Sequence, residues 1–262
     1  MVVILDGGCR VSQMHDGEPL VVGTLRIWKQ IGRATGAQAI SLRVMEFAPG
    51  LSPTIRNDDS DEILYVLGSE VGTARGGGWA VLIDGQSREV GPDSGIYIRP
   101  HQTFAIDNPG TDSITIISSQ CPDPDRAPAF VSSKASPTDP TTDPSSRIIR
   151  LADRRAQPTA DRWYRVLVDE EIGSAQVTQF VGSIPPGRAP DHFHHYEEVL
   201  FILKGEGRMW AGETNTPVAP GSCIYLPKGQ VHCVENTGEG ELRLLGVFYP
   251  AGSPSVRYEA EC

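Results

Sequence analysis

Residues 187–205 read GRAPDHFHHYEEVLFILKG, a histidine-rich segment followed by an apolar run of strand length. His192 and His194 are two positions apart, so on an extended backbone both imidazoles point to the same face. Glu198 follows four positions after His194 and opens the run VLFIL. A surface loop can carry such a cluster by chance, but imidazoles that share a face beside a carboxylate also suit a metal ion.

A second stretch, GSCIYLPKGQVHCVEN at residues 221–236, contains one more histidine. His232 follows a Pro-Lys-Gly turn and begins a segment with β-strand character. The two stretches together offer three imidazoles and one carboxylate. This is a typical donor set for first-row metals, because imidazole suits Fe, Ni, Cu and Zn and, with a carboxylate, Mn.

Both stretches resemble the motifs of the cupin superfamily. The first motif orders a glycine, an H-x-H pair, a glutamate and a glycine, matched here by Gly187, His192, His194, Glu198 and Gly205, with four residues after the first glycine where five are usual. The second motif is matched at every spacing by Gly221, Pro227, Gly229, His232 and Asn236. The resemblance is tight over 187–236 and looser over 160–250. It implies a small jelly-roll barrel whose metal ligands are His192, His194, Glu198 and His232.

The first half of the chain repeats the second in three blocks of conserved order. GAQAISLRVMEFAPG (36–50) matches GSAQVTQFVGSIPPG (173–187), DEILYVLGSE (61–70) matches EEVLFILKGE (197–206), and GIYIRPHQTFAIDN (95–108) matches CIYLPKGQVHCVEN (223–236). Ordered matches of this kind indicate a duplicated unit. Together with the motifs, they predict a bicupin.

The metal motif is not repeated in the first half. Glu62 aligns with Glu198 and His101 with Gly229, but the last histidine position holds Phe104. The first two histidine positions fall on Arg56 and Asp58, or on Ile55 and Asn57 if the preceding turn sets the register. We therefore expect an N-terminal unit without a metal site. It would pack against the active half, cover the barrel mouth or form a dimer face.

Short alternating apolar runs punctuated by glycine and proline predict an all-β protein with two jelly-roll (cupin) β-barrels in tandem. Residues 121–146 are rich in Pro, Ser, Thr and Asp and lack the apolar content that a core needs. The predicted organisation is an N-terminal cupin-like barrel lacking metal ligands (1–120), a linker (121–147) and a C-terminal metal-binding barrel (148–262).

Composition excludes several classes of function. The 262 residues carry a formal net charge of −10 and no basic run, which argues against a nucleic-acid partner. No stretch approaches the roughly 20 apolar residues of a membrane helix, and the start of the chain lacks a signal-peptide pattern. The five cysteines are scattered without a C-x-x-C pair. We expect a cytoplasmic protein with reduced thiols, a small-molecule substrate and, as in many cupins, a homodimer.

The ligand set leaves three hypotheses for function. The first is a metal-dependent dioxygenase acting on a small oxygenated or aromatic substrate, since quercetinases and related cupins use this set. The second is a non-redox isomerase, cyclase or lyase that works through a metal-stabilised enolate. The third is a metal-dependent protein that binds or senses a small molecule. Glu198 is the candidate catalytic base, and one divalent ion (Fe, Mn, Ni, Cu, Co or Zn) is the expected cofactor.

Other side chains near the motifs are candidates for substrate contact. The aromatic ones are either stacking partners for a substrate or packing residues: Phe193, Tyr196, Phe201, Trp210 and Tyr225. The basic ones are either partners for a substrate carboxylate or solvated surface residues: Arg188, Lys204, Arg208 and Lys228.

Overall fold

A computed structural model describes residues 1–68, 78–132 and 147–255. Part of the predicted linker, residues 133–146, lies outside the described residues, as does Cys262. No helix among the described residues combines the length and the apolar character needed to cross a bilayer.

The described residues of the first half form fourteen strands. They are β1 (Val3–Ile4), β2 (Arg10–Gln13), β3 (Leu20–Val22), β4 (Leu25–Ile31), β5 (Leu42–Phe47), β6 (Gly50–Leu51), β7 (Thr54–Arg56), β8 (Asp61–Val66), β9 (Trp79–Ile83), β10 (Gln86–Val90), β11 (Ser94–Ile98), β12 (Thr103–Asn108), β13 (Ile114–Cys121) and β14 (Ala129–Val131).

The described residues of the second half form eleven strands. They are β15 (Ile148–Arg150), β16 (Gln157–Thr159), β17 (Arg162–Val168), β18 (Thr178–Ile184), β19 (Gly187–Arg188), β20 (Glu197–Lys204), β21 (Gly207–Ala211), β22 (Thr214–Val218), β23 (Ser222–Leu226), β24 (His232–Asn236) and β25 (Leu242–Tyr249). Short 3₁₀ turns cover Asp6–Gly8, Arg33–Thr35, Leu151–Asp153 and Glu170–Ile172.

The two halves share one topology, which confirms the predicted pair of jelly-roll barrels. In the first half the large sheet runs β11-β8-β13-β5-β4, and in the second it runs β23-β20-β25-β18-β17. A smaller sheet faces each large one: β10-β9-β12-β7-β14, with β6 also paired to β12, and β19-β24-β21-β22.

The large sheets pack back to back, and this explains the unbroken apolar runs of their central strands. All six residues of β8 are buried, and so are seven of the eight in β20. One face of each strand fills its own barrel, while the other joins a core shared by both halves, including Tyr65 and Ile63 with Phe201 and Val199. A strand buried on both faces has no polar side to alternate with.

The barrels also exchange edge strands. Strand β2, near the start of the chain, pairs with β23 of the C-terminal barrel, with Val11 opposite Ile224. Strand β15 pairs in turn with β11 of the N-terminal barrel, with Ile149 opposite Gly95. Strand pairing therefore crosses both predicted boundaries, and the division into units at 120 and 148 stays a prediction.

Glu197, at the start of β20, ties the two halves together. Its buried carboxylate accepts hydrogen bonds from the backbone N–H groups of Gln38 (2.7 Å) and Ala39 (2.6 Å). The hydroxyl of Tyr225 donates to the same carboxylate. A side chain of one barrel thus holds a loop of the other.

Candidate metal centre

The three motif histidines converge because two separate segments pair at one end of the C-terminal barrel. His192 and His232 form an isolated antiparallel bridge, with N–H to O=C distances of 3.1 and 2.8 Å. His194, two residues further along, shares the face of His192. One ring nitrogen from each of the three histidines lies within 4.8 Å of the others.

Backbone carbonyls fix the orientation of two of the rings. The Nδ1 of His192 lies 3.0 Å from the oxygen of Pro190, and the Nδ1 of His232 lies 2.8 Å from the oxygen of Gln230. A carbonyl only accepts, so each Nδ1 carries the proton and each Nε2 is left with a lone pair. Histidines that ligate a metal through one ring nitrogen commonly donate the N–H of the other to a carbonyl in this way.

Aromatic packing supports the third ring. Tyr196 stacks on His194 with a centroid separation of 4.6 Å and an interplanar angle of 11°. Phe248 stacks on the other side of Tyr196 at 4.5 Å. The imidazole of His194 is thus backed by two aromatic layers.

Glu198 lies beside this triad inside the barrel. Its Oε2 is 3.4 Å from Nε2 of His194, and the residue is 5% exposed. Burial raises the pKa of the Glu198 carboxyl to about 8, because a carboxylate loses its hydration there. Burial, reinforced by the nearby His192, lowers the pKa of His232 to about 4. At neutral pH the His232 imidazole is therefore neutral, the form that binds metal.

These residues fit a divalent transition metal. Two ligand atoms about 2.1 Å from one ion lie at most about 4.2 Å apart, so the triad needs only a small contraction to bind. The oriented Nε2 atoms of His192 and His232, the imidazole of His194 and one carboxylate match the donor preferences of such ions. His192, His194 and His232, with Glu198 as fourth donor, would hold the ion.

A cavity of about 110 Å³ opens beside the triad and is lined by all four of these side chains. The rest of its lining is mainly aromatic and aliphatic: Trp163, Tyr164, Phe180, Ile184, Leu200, Val234 and Leu244. Arg162 is the one guanidinium or ammonium group among the described residues that line it.

The sequence candidates for substrate contact lie elsewhere. Phe201 and Tyr225 belong to the core between the two barrels. Trp210 donates to Glu235 and lies under the guanidinium of Arg188. Tyr196 is the candidate that stacks on a histidine of the triad. None of the nine aromatic or basic candidates is among the residues that line the cavity.

The cavity-lining residues left a signal in the sequence that motif matching passes over. Phe180, Gly182 and Ile184 alternate along β18, and all three line the cavity together with Ser183 near the end of the strand. Period two in a barrel strand marks the residues that face inward. An inward-facing set can thus be read from one strand, but its position beside the ligands depends on the fold.

The residues next to the candidate ligands in sequence do not join the triad, because adjacent side chains of an extended chain point to opposite sides. His195 is exposed, and Glu197 faces the other barrel. Cys233 receives a 3.2 Å hydrogen bond from Nε of Arg188 and stands outside the histidine triad. Cys9, Cys121, Cys223 and Cys233 are buried and free.

The N-terminal barrel has different side chains at the matching positions. Ile55 pairs with Phe104 just as His192 pairs with His232. The N–H of His101 donates to the oxygen of Asn57 at 2.7 Å, as that of Gly229 donates to His194 at 2.8 Å. Strand pairing therefore selects the Ile55/Asn57 register over Arg56/Asp58.

Comparison with known proteins also identifies a cupin domain in the part of the chain that contains the histidine triad. The family model described as Cupin domain matches residues 180–248. Auxin-binding protein 1 of Arabidopsis thaliana is 32% identical over 86 residues, covering 29% of this chain and 43% of that protein. The oxalate-binding protein of Thermotoga maritima is 35% identical over 67 residues, covering 25% of this chain and 55% of that protein. The matched regions span between 43% and 69% of such relatives.

The fold extends beyond the matched domain. A mutant of Bacillus subtilis oxalate decarboxylase superposes with a TM-score of 0.72 at 14% identity. The superposition covers 92% of this chain and 77% of that one, so both barrels take part. Identity at this level shows the shared fold.

Proposed function

This chain belongs to the cupin superfamily, and we propose that its C-terminal barrel is a metal-dependent enzyme that acts on a small carboxylic acid without net oxidation. The observation that carries the proposal is the convergence of His192, His194 and His232 beside Glu198 at the wall of one cavity. A bound divalent ion would act there as a Lewis acid on a substrate oxygen.

The residues of the chain supply the rest of the chemistry. Glu198 is the group placed to take up or release a proton at Oε2, because its carboxyl is buried beside the triad. Phe180, Leu200 and Leu244 give the cavity an apolar wall, which strengthens electrostatic interactions beside it. Arg162 at the lining favours an anionic substrate, since a guanidinium binds a carboxylate with two parallel hydrogen bonds.

Two comparisons support a lyase over the dioxygenase expected from the ligand set. One structural neighbour is an oxalate decarboxylase, and one relative is an oxalate-binding protein. Oxalate is therefore the first substrate to test. Dioxygenase activity stays the second candidate, because Trp163, Tyr164 and Phe180 give the cavity aromatic walls suited to an aromatic substrate.

The first test of the proposal is the metal content of the purified protein. Elemental mass spectrometry of the purified protein should find about one equivalent of a first-row ion. The His192→Ala/His232→Ala variant should lose it, and His195→Ala, which removes an exposed neighbour outside the triad, should keep it. A wild-type protein that stays metal-free after reconstitution would refute the ligand assignment.

Turnover separates the three functional classes. Metal-loaded protein is incubated with oxalate and other small carboxylic acids, with and without dioxygen, while oxygen uptake and product are followed. Equal turnover under anaerobic conditions supports the non-redox proposal. Strict dependence on oxygen uptake supports the dioxygenase, and binding without turnover identifies a binding protein.

A further inference from the structure

The N-terminal barrel has a buried polar cluster where the C-terminal barrel has its metal ligands. Glu62 on β8 is fully buried and pairs across the sheet with Gln120, as Glu198 pairs with Phe248. Arg43 on β5 is 3% exposed and reaches the same carboxylate, with Nη2 2.5 Å from Oε1 of Glu62. A guanidinium thus provides the positive charge on this side of the molecule.

Arg43 replaces an aromatic residue of the other barrel. Counting back from the Pro-Gly that ends each strand aligns Arg43 with Phe180. Phe180 packs over Gly246, where an added Cβ would lie 2.3 Å from its ring. Arg43 instead faces Ser118, whose hydroxyl oxygen accepts from Nη2 at 2.8 Å. The change is from an apolar wall to a polar one.

Some N–H donors of the Arg43 guanidinium form no hydrogen bond with the described residues. Among the described residues, its hydrogen bonds all come from Nη2. The Nε–H group is buried and has no partner in the described part of the chain. The side chain of Arg43 therefore has donor capacity that its two oxygen partners, Glu62 and Ser118, do not use.

A cavity of about 250 Å³ lies against this side chain. Its wall carries the cations of Arg43, Lys29 and Arg126 against the single carboxylate of Asp125. Each cation has a counter-charge outside the wall: Glu62 pairs with Arg43, Asp123 with Lys29, and Asp59 with Arg126 at 2.6 Å. The amide of Gln120 adds a polar group, and Leu20, Ile27 and Pro128 form an apolar side.

We infer that this cavity binds a short-chain monocarboxylate, with its carboxylate on Arg43 and its alkyl tail against Leu20, Ile27 and Pro128. A carboxylate has the planar shape that accepts from a guanidinium edge. A single negative charge suits the site, since Glu62 and Asp125 lie close enough to oppose a dianion. The N-terminal barrel is then a second small-molecule site, in which a guanidinium takes the role of a metal ion.

The test uses the full-length His192→Ala/His232→Ala variant, so that no carboxylate can bind through a metal in the other barrel. Protein labelled with ¹⁵Nε-arginine is titrated with butyrate, and Arg43→Lys assigns the Arg43 Nε–H resonance by its loss. We expect that resonance to shift saturably with butyrate and to stay fixed with butyramide, which has the same shape without the charge. Arg43→Lys should weaken butyrate binding, measured by calorimetry, about tenfold.

Arg126→Gln provides a second variant if Arg43→Lys does not fold. Arg126 is 53% exposed at its side chain, so its loss leaves the core intact and should weaken butyrate binding several-fold. An Arg43 resonance that does not move in the folded protein would overturn the inference. Equal shifts with butyramide, or with potassium chloride at the same ionic strength, would also overturn it.

Discussion

Glu197→Gln should destabilise the whole protein without reducing the metal binding proposed for the histidine triad. The carboxylate accepts the N–H groups of Gln38 and Ala39 on different oxygens, Oε1 and Oε2. A glutamine side chain has only one acceptor oxygen. In either amide orientation its NH₂ group therefore faces a backbone N–H that was satisfied by the carboxylate.

The expected loss in the free energy of unfolding follows from the hydrogen bonds that Glu197→Gln removes or weakens. One buried N–H loses its acceptor, which costs about 1–3 kcal/mol. The two remaining bonds, including that from Tyr225, change from charged to neutral acceptors and weaken by about 1 kcal/mol each. The sum is about 3–5 kcal/mol, which corresponds to a fall in Tm of about 10 °C for a chain of this size.

Calorimetry and urea unfolding followed by circular dichroism measure the change, and elemental analysis measures the metal. Glu239→Gln is the matched control, because Glu239 is exposed and its substitution should alter stability by less than about 0.5 kcal/mol. The loss of stability in Tyr225→Phe should lie between the losses in Glu239→Gln and Glu197→Gln. A Glu197→Gln protein within about 1 kcal/mol of wild type would refute the role assigned to these bonds.

Three further outcomes are expected. Metal binding at pH 7 should release most of one proton from Glu198, because its pKa of about 8 keeps the metal-free carboxyl largely protonated. Metal affinity should therefore rise with pH up to about 8. Calorimetry in buffers of different ionisation enthalpy measures the release, which Glu198→Gln should abolish. Gly246→Ala should destabilise by about 1–3 kcal/mol in urea unfolding, because its methyl group overlaps the ring of Phe180; an unchanged midpoint would contradict the packing. Arg43→Met should cost about 3–5 kcal/mol, and Arg43→Met/Glu62→Leu should recover most of the loss; a double variant as unstable as the single one would show that the buried pair stabilises by itself.

The convergence of the candidate metal ligands was the feature most accessible from the sequence. The spacing of His192, His194, Glu198 and His232 is local within two segments, and the turns before each segment fix the face on which the side chains lie. The duplicated blocks likewise predicted two barrels of one topology. Local patterns sufficed here because each depends on strand period and turn chemistry.

Other features depend on long-range pairing, which a single sequence does not record. Arg43 stands in an alternating strand, and only the fold reveals Glu62 as its partner. In the sequence, Glu197 stands out only as the residue before the candidate ligand Glu198. In the structure it binds a loop more than 150 residues away along the chain. The choice between Ile55 and Arg56 as the counterpart of His192 also required the observed strand register.

The exchange of edge strands has a consequence for how the protein is made. Val11 on β2 lies opposite Ile224 on β23, so this pairing forms only after more than 200 further residues have been synthesised. Until then the edge of β23 does not exist, and β11 waits for β15 before its own edge is covered. Pairings this distant slow folding and leave unpaired edges exposed in the meantime. We therefore expect the nascent chain to depend on protection from aggregation until its last quarter emerges, and a fragment ending near residue 120 to aggregate.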